Sequence, residues 1–180
     1  MPVPGVAMVA GDERYGGGIT TPGGKPTMSV MAFGFDTFSD ASYACWEVHT
    51  RWAEKMKKKF GGLPNIRDFI SVPAGFYNSD REIWEDMLKT IREAGYEGKM
   101  GFQMDVATDT YHKEDDKYYG LFDSTPKTKE ELYDFYMQII KDYPFVIIED
   151  PFNEDDYDTT AKLTKECGIQ IVGDDLFTTN

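Results

Sequence analysis

The chain has 180 residues, 41% of them hydrophobic, which is enough apolar material for one packed domain and argues against disorder. Its net charge is −13, from 32 acidic and 19 basic residues. A surface this acidic disfavours nucleic acids and anionic membranes as partners, because both are polyanions. A well-solvated surface accounts for the charge most simply, and a raised local concentration of cations is its other consequence.

The chain carries no sign of a membrane span or of a signal peptide. No stretch reaches the roughly 18 consecutive apolar residues that a spanning helix needs. The N-terminal MPVPGVAMVA lacks the basic residues that begin a signal peptide. We therefore expect a cytoplasmic protein with no membrane partner. Cys45 and Cys167 lie far apart within helical patterns and lack metal-binding spacing, which predicts buried, inert thiols.

The first half of the chain predicts two strands and a long helix. The apolar segment Pro2–Ala10 predicts a buried strand, and residues 27–35 predict a second. Between them, GDERYGGGITTPGGKP is rich in glycine and predicts a loop; it lacks the GxxxxGK[ST] and GxGxxG patterns of phosphate-binding loops. Apolar residues then recur every three or four positions from Phe38 to Phe60, which predicts a helix that ends in KKKFGG.

The second half of the chain alternates between helix and strand. SDRE at 79–82 and TKEE at 128–131 have the form of capping boxes and predict two helix starts. Short apolar runs at 99–107, 145–149 and 169–175 predict strands, and a helix is expected at Tyr157–Cys167. Strands that are apolar throughout are typical of parallel strands covered on both faces or closed into a barrel. The predicted fold class is α/β.

Each of these three apolar runs ends on an acid, in GFQMD, VIIED and IVGDD. The carboxyl ends of parallel strands lie on one side of a sheet, so Asp105, Glu149 and Asp174 should converge. Converging carboxylates repel one another, and a divalent cation relieves the repulsion. Ligation by oxygen alone favours a hard ion such as Mg²⁺.

The strand-end acids could instead serve either of two different purposes. A pair of carboxylates could act as general acid and base, although two groups would leave the third strand end unexplained. An acid after a strand could also cap the helix that follows, which Asp150, Asp155 and Asp175 could do.

These same residues carry a resemblance to a known family. The segment KDYPFVIIEDPFNEDDYDTTAKLTKECGIQIVGDDLFTTN resembles enolase, the phosphopyruvate hydratase of glycolysis, almost position for position. AGYEGKMGFQMDVATDTYHKEDDKYYGLF looks like the preceding enolase segment, and MPVPGVAMVAGD is similar to the strand that opens the enolase barrel. The likeness is dense from Glu93 to Asn180 and thinner before that. The combination of IEDPF with VGDDL is specific.

The resemblance implies a partial TIM-like barrel domain over residues 1–180, with two initial antiparallel strands, helices and then βα repeats. The family's N-terminal capping domain and last barrel strands are expected to be absent. Asp105, Glu149 and Asp174 match the three Mg²⁺ ligands of enolases, and Asp175 matches an acidic neighbour of the last ligand. In that family, Mg²⁺ ions bind a small phosphorylated acid, a lysine removes a proton and a glutamate helps to expel hydroxide.

Parts of the family's acid–base machinery do not match. The Ser-His of the first Gly-rich loop is replaced by Glu13-Arg14, and Arg14 is a weak candidate for contact with the substrate anion. Thr27 stands where enolases have a glutamate. SVPAG aligns with the catalytic-acid loop GDEGG and places Pro73 at the position of its glutamate. The strands that carry the lysines and the active-site histidine are expected to lie beyond the sequence.

The sequence therefore leaves two functions open. The chain could be part of an Mg²⁺-dependent phosphopyruvate hydratase whose barrel is completed by a second polypeptide, by a continuation of this chain or by another copy of it, because an open sheet exposes strand edges. Alternatively, it could be a catalytically inactive, enolase-derived protein that binds a metal ion or a partner surface.

Overall fold

The structure, a computed structural model, describes residues 1–10, 15, 25–61 and 69–180. In this part of the chain it is an α/β fold built on a six-stranded mixed sheet. The strands are β1 Gly5–Ala10, β2 Thr27–Met31, β3 Ile70–Ser71, β4 Gly101–Asp105, β5 Phe145–Glu149 and β6 Gln170–Val172. The helices are α1 Phe38–Phe60, α2 Asp80–Glu93, α3 Lys129–Asp142 and α4 Tyr157–Glu166.

The strand order is β3-β1-β2-β4-β5-β6, so consecutive strands mostly lie side by side. The strand β2 runs antiparallel to both β1 and β4, whereas β4, β5 and β6 are parallel to one another. The predicted antiparallel opening pair and the parallel second half are both confirmed. The described sheet does not close into a barrel, and its outer strands are β3 and β6.

Helix α1 begins and ends at the residues that its sequence pattern predicts. The Thr37 side chain accepts a hydrogen bond from the Asp40 backbone N–H at 3.1 Å and caps the first turn. Gly61 ends the helix at a φ of 77°, which glycine adopts without the strain that a Cβ would cause. None of the described helices is both long and apolar enough to cross a membrane.

One predicted capping box is present and the other is absent. The Thr128 side chain accepts from the Glu131 backbone N–H, and the Glu131 carboxylate accepts from the Thr128 N–H, as predicted for α3. For α2 the predicted capping box is wrong, because the Ser79 side chain makes no capping hydrogen bond. Glu82 instead accepts from the backbone and side chain of Asn78, at 3.0 and 3.1 Å.

The core lies between one face of the sheet and the helices. Phe102, Met104 and Ile148 point to this face and are fully buried. Trp84 on α2 packs edge-on against Phe145 of β5, with ring centroids 5.2 Å apart. Gln103, on the opposite face of β4, is only partly buried. The helices therefore cover one face of the described sheet and leave the polar side chains of the other face accessible.

Candidate metal centre

The ends of β4, β5 and β6 bring the acidic residues to one edge of the sheet. Asp105 is the last residue of β4 and pairs with Glu149, the last residue of β5. Glu149 in turn pairs with Val172, the last residue of β6, and Asp174 follows two residues later. We call this edge, with Asp105, Glu149, Asp150, Asp174 and Asp175, the carboxylate rim.

Within the rim, the described carboxylates form two overlapping groups of three. Oxygens of Asp105, Glu149 and Asp150 lie within 4.8 Å of one another, and so do oxygens of Asp150, Asp174 and Asp175. Asp105 and Glu149 thus meet as expected, whereas Asp174 groups with Asp150 and Asp175. The set of Asp105, Glu149 and Asp174 around one ion stays a prediction.

Asp150 belongs to both groups, and the sequence reasoning did not recognise its role. Its side chain is 5% exposed and accepts hydrogen bonds from the backbone N–H groups of Asp174 and Asp175, each at 3.0 Å. Its own N–H donates to Val172 O at 3.0 Å. Its carboxylate therefore holds the turn after β6 against the end of β5.

The backbone around Asp150 is also tied to the end of β4. The Thr108 hydroxyl donates to the Asp150 carbonyl oxygen at 2.6 Å, and the Val106 N–H donates to the Glu149 carbonyl oxygen at 3.0 Å. Asp150 has a φ of 44°, in the left-handed region that Asp tolerates better than most residues. This turn directs the carboxylate of Asp150 toward β6.

The suggestion that Asp150, Asp155 or Asp175 caps the following helix is wrong for α4, whose cap is Asp156. Asp156 caps α4 by accepting from the Thr159 N–H at 3.1 Å. Asp155 is exposed beside it. Asp150 does bind backbone N–H groups, but they belong to the turn after β6. Helix capping therefore does not account for Asp105 or Glu149, each of which is the last residue of its strand.

The electrostatics of the rim favour either protonation or a cation. Burial raises the pKa of Glu149 above its ordinary value, and the nearby charges of Asp150 and Asp174 raise it further. Lys25 and a hydrogen bond from the Gln103 amide, at 3.3 Å, lower the pKa of Glu149 in part. Burial and the same two aspartates raise the pKa of Asp175 as well.

The residues aligned with the family's acid–base groups lie near the same edge. Thr27, where enolases have a glutamate, pairs with Asp105 across β2 and β4. Pro73 is exposed and follows β3, whose last residue Ser71 pairs with Ala10. Proline has no side-chain group that can transfer a proton. Arg14 and Glu13 lie outside the described residues.

The donor set fits a hard divalent cation such as Mg²⁺. The two groups offer carboxylate oxygens alone, close enough to share an ion, and Mg²⁺ prefers oxygen ligands. Burial and the neighbouring carboxylates raise the pKa of Glu149, and a cation at the rim would offset the repulsion among these carboxylates. Either group could hold such an ion, and Asp105, Glu149 and Asp174 remain the predicted ligands.

Fold and rim together define an α/β protein with a carboxylate-lined site at the carboxyl ends of its parallel strands. Comparison with known proteins shows which family within this class the chain belongs to. The family described as the enolase C-terminal TIM barrel domain matches residues 1–180, and the chain belongs to the enolase family.

Two similar relatives are archaeal proteins named Enolase. One, from Methanocaldococcus jannaschii, is 34% identical over 184 residues, and the other, from Methanococcus aeolicus, is 33% identical over 186 residues. Each match covers 100% of this chain and 41% of the relative. The chain thus spans about two-fifths of the length of these relatives.

Proposed function

We propose that the chain provides the Mg²⁺-binding part of an enolase-type active site. The observation that carries the proposal is the convergence of acids from three successive parallel strands, with Asp105 and Glu149 paired directly across β4 and β5. Asp105, Glu149 and Asp174 are the proposed ligands. Asp150 holds the turn that carries Asp174.

The reaction we propose is that of phosphopyruvate hydratase, the dehydration of 2-phosphoglycerate to phosphoenolpyruvate in glycolysis. Family membership and the name of the two archaeal relatives support it. When bound, Mg²⁺ supplies a Lewis acid for the substrate's anionic oxygens. The chain's own residues fix the ligand oxygens at the rim and leave the partly covered sheet face open to a small phosphorylated acid.

The positions aligned with the family's acid groups do not supply them. Pro73 cannot donate a proton and Thr27 cannot replace a carboxylate. In the described sheet, β3 and β6 each have one unpaired edge, and exposed strand edges favour pairing with further strands. We propose that a complementary polypeptide, a continuation of this chain or a second copy completes the site.

A second candidate is a catalytically inactive enolase-derived protein that binds a metal ion or a partner. Pro73 favours it, because this residue lies at the strand-end edge where the family has its catalytic acid. Thr27 favours it for the same reason, beside Asp105. A cytoplasmic location and the lack of a nucleic-acid partner stay predictions under both functions.

The assay of 2-phosphoglycerate dehydration separates the two functions. We expect no turnover by the chain alone, and Mg²⁺-dependent turnover once the polypeptide that co-purifies with it is present. Native mass spectrometry distinguishes a second copy from a different chain. Asp174→Asn should abolish the Mg²⁺-dependent turnover because it removes a proposed ligand. Asp155→Asn changes an exposed acid and should leave the turnover intact. Metal binding without turnover in both conditions would establish the inactive protein instead.

A further inference from the structure

A lysine already lies against one of the proposed metal ligands. Lys25 precedes β2, and its ammonium forms an ion pair with Asp105 Oδ2. The Tyr111 hydroxyl donates to the Lys25 carbonyl oxygen and ties this backbone to the segment after β4. The register of Thr27 with Asp105 places the start of β2 beside the end of β4. The contact therefore follows from the sheet pairing.

The ion pair lies in a partly buried part of the rim. The Lys25 side chain is 29% exposed and that of Asp105 is 17% exposed. Among the described residues, Lys25 is the cation that forms an ion pair with a rim carboxylate, and its charge also acts on Glu149 and Asp175. It offsets one charge of a group with five carboxylates.

We propose that Lys25 is a built-in counter-cation that competes with the divalent ion for Asp105; this rests on the proposed Mg²⁺ site. The ammonium and a metal ion would approach the same carboxylate, and two cations that close repel each other. Metal binding must therefore break the Lys25–Asp105 contact. The lysine stem is long and flexible, so the ammonium can move away without a change in the sheet.

This exchange sets the affinity of the rim for metal. In the ion-free protein, Lys25 reduces the repulsion among the carboxylates, which lowers the gain from binding an ion. Removing the ammonium leaves the rim more negative and opens Asp105 to the ion. The chain should therefore bind a divalent ion more weakly than a variant without this lysine, although both have the same carboxylates.

The test measures Mn²⁺ affinity by electron paramagnetic resonance of the free ion in the purified protein. Lys25→Met removes the ammonium, and Lys25→Arg keeps the charge. Lys89→Met is the matched control, since Lys89 on α2 is 66% exposed and its replacement removes the same charge from the whole molecule. Circular dichroism verifies that each variant is folded.

We expect Lys25→Met to bind Mn²⁺ about five-fold more tightly than the native protein, which corresponds to about 1 kcal/mol. Lys25→Arg and Lys89→Met should stay within about two-fold of the native value, the margin expected for an exposed charge. Equal affinity of Lys25→Met and Lys89→Met, or weaker binding by Lys25→Met, would overturn the competition while leaving the metal site intact. Failure of every protein, native and variant, to bind Mn²⁺ would refute the proposed metal site and, with it, the competition.

Discussion

Asp150 organises the carboxylate rim although it is not one of the residues that match the family's metal ligands. Both of its side-chain oxygens accept backbone hydrogen bonds from the turn after β6. Its carbonyl oxygen accepts from Thr108 after β4. One buried residue therefore connects the ends of three strands. The positions of Glu149 and Asp174 relative to each other depend on these bonds.

Glu149 gives the rim a pH dependence whose sign follows from its environment. Burial and neighbouring carboxylates raise its pKa above the ordinary value of 4.5. Between that value and the raised one, the folded protein binds more protons at Glu149 than the unfolded chain does. The free energy of unfolding therefore falls as pH rises through this interval.

We predict that Glu149→Gln raises the melting temperature at about pH 7 in the absence of divalent ions, because it removes a charge that the folded state disfavours. The gain should fade as pH drops through 4.5 and disappear well below it, where Glu149 is protonated in both states. Glu154→Gln, at an exposed position, is the control and should change little. Thermal melts with a chelator measure both, and a lower melting temperature for Glu149→Gln at neutral pH would refute the electrostatic explanation.

Some rim residues can be predicted from the sequence, and others cannot because their contacts depend on strand register and on a turn. Asp105 and Glu149 each end an apolar run, so the pairing of parallel strands is enough to predict that they meet. Lys25 contacts an acid 80 residues away, and this depends on the register of β2 against β4. The role of Asp150 depends on a left-handed turn that the doublet Glu149-Asp150 does not specify.

At the scale of elements, two motifs of the same form behave differently. Thr128 and Glu131 make the reciprocal bonds of a capping box at the start of α3. Ser79 makes no side-chain cap at the start of α2, and the Glu82 carboxylate accepts from Asn78 instead. The motif predicts where both helices begin, but the side-chain bonds depend on which partner is nearer to the glutamate.

This difference gives a prediction with an internal control. Thr128→Ala should lower the free energy of unfolding by about 1 kcal/mol, because a backbone N–H at the start of α3 loses its acceptor. That corresponds to a drop of about 2–4 °C in melting temperature for a domain of this size. Ser79→Ala should cost about a few tenths of a kcal/mol at most, since no capping bond is lost. Equal losses in calorimetry would contradict the assignment of the two caps.

Helix α1 and the parallel strands follow their sequence patterns, whereas β3 does not. The apolar period predicts α1 at Phe38–Phe60, the bounds that the structure has. Strand β3 is two residues long and lies beside β1 only through the pairs Val9–Ile70 and Ala10–Ser71. So short a strand has no alternation of apolar and polar residues to reveal it. Its pairing is set by tertiary packing.

At the scale of the whole molecule, the described sheet has one closed face and one accessible face. On the closed face, Phe145 of β5 packs against Phe102 of β4 and against Trp84 of helix α2. The accessible face carries the partly buried Gln103, Asp105 and Glu149. The resemblance to enolases predicts the antiparallel opening pair, and the apolar strands that alternate with helices predict the parallel second half. Whether the sheet closes depends on strands other than those described, so local patterns could not decide it.

The position of a bound ion tests the proposed site most directly. Crystals of the protein soaked in Mn²⁺ should show an anomalous peak about 2.1 Å from carboxylate oxygens, the spacing that Mg²⁺ adopts. We predict that these oxygens belong to Asp105, Glu149 and Asp174. A peak held by Asp150 and Asp175 without Asp105, or a rim without a peak, would contradict an enolase-type metal centre in this chain.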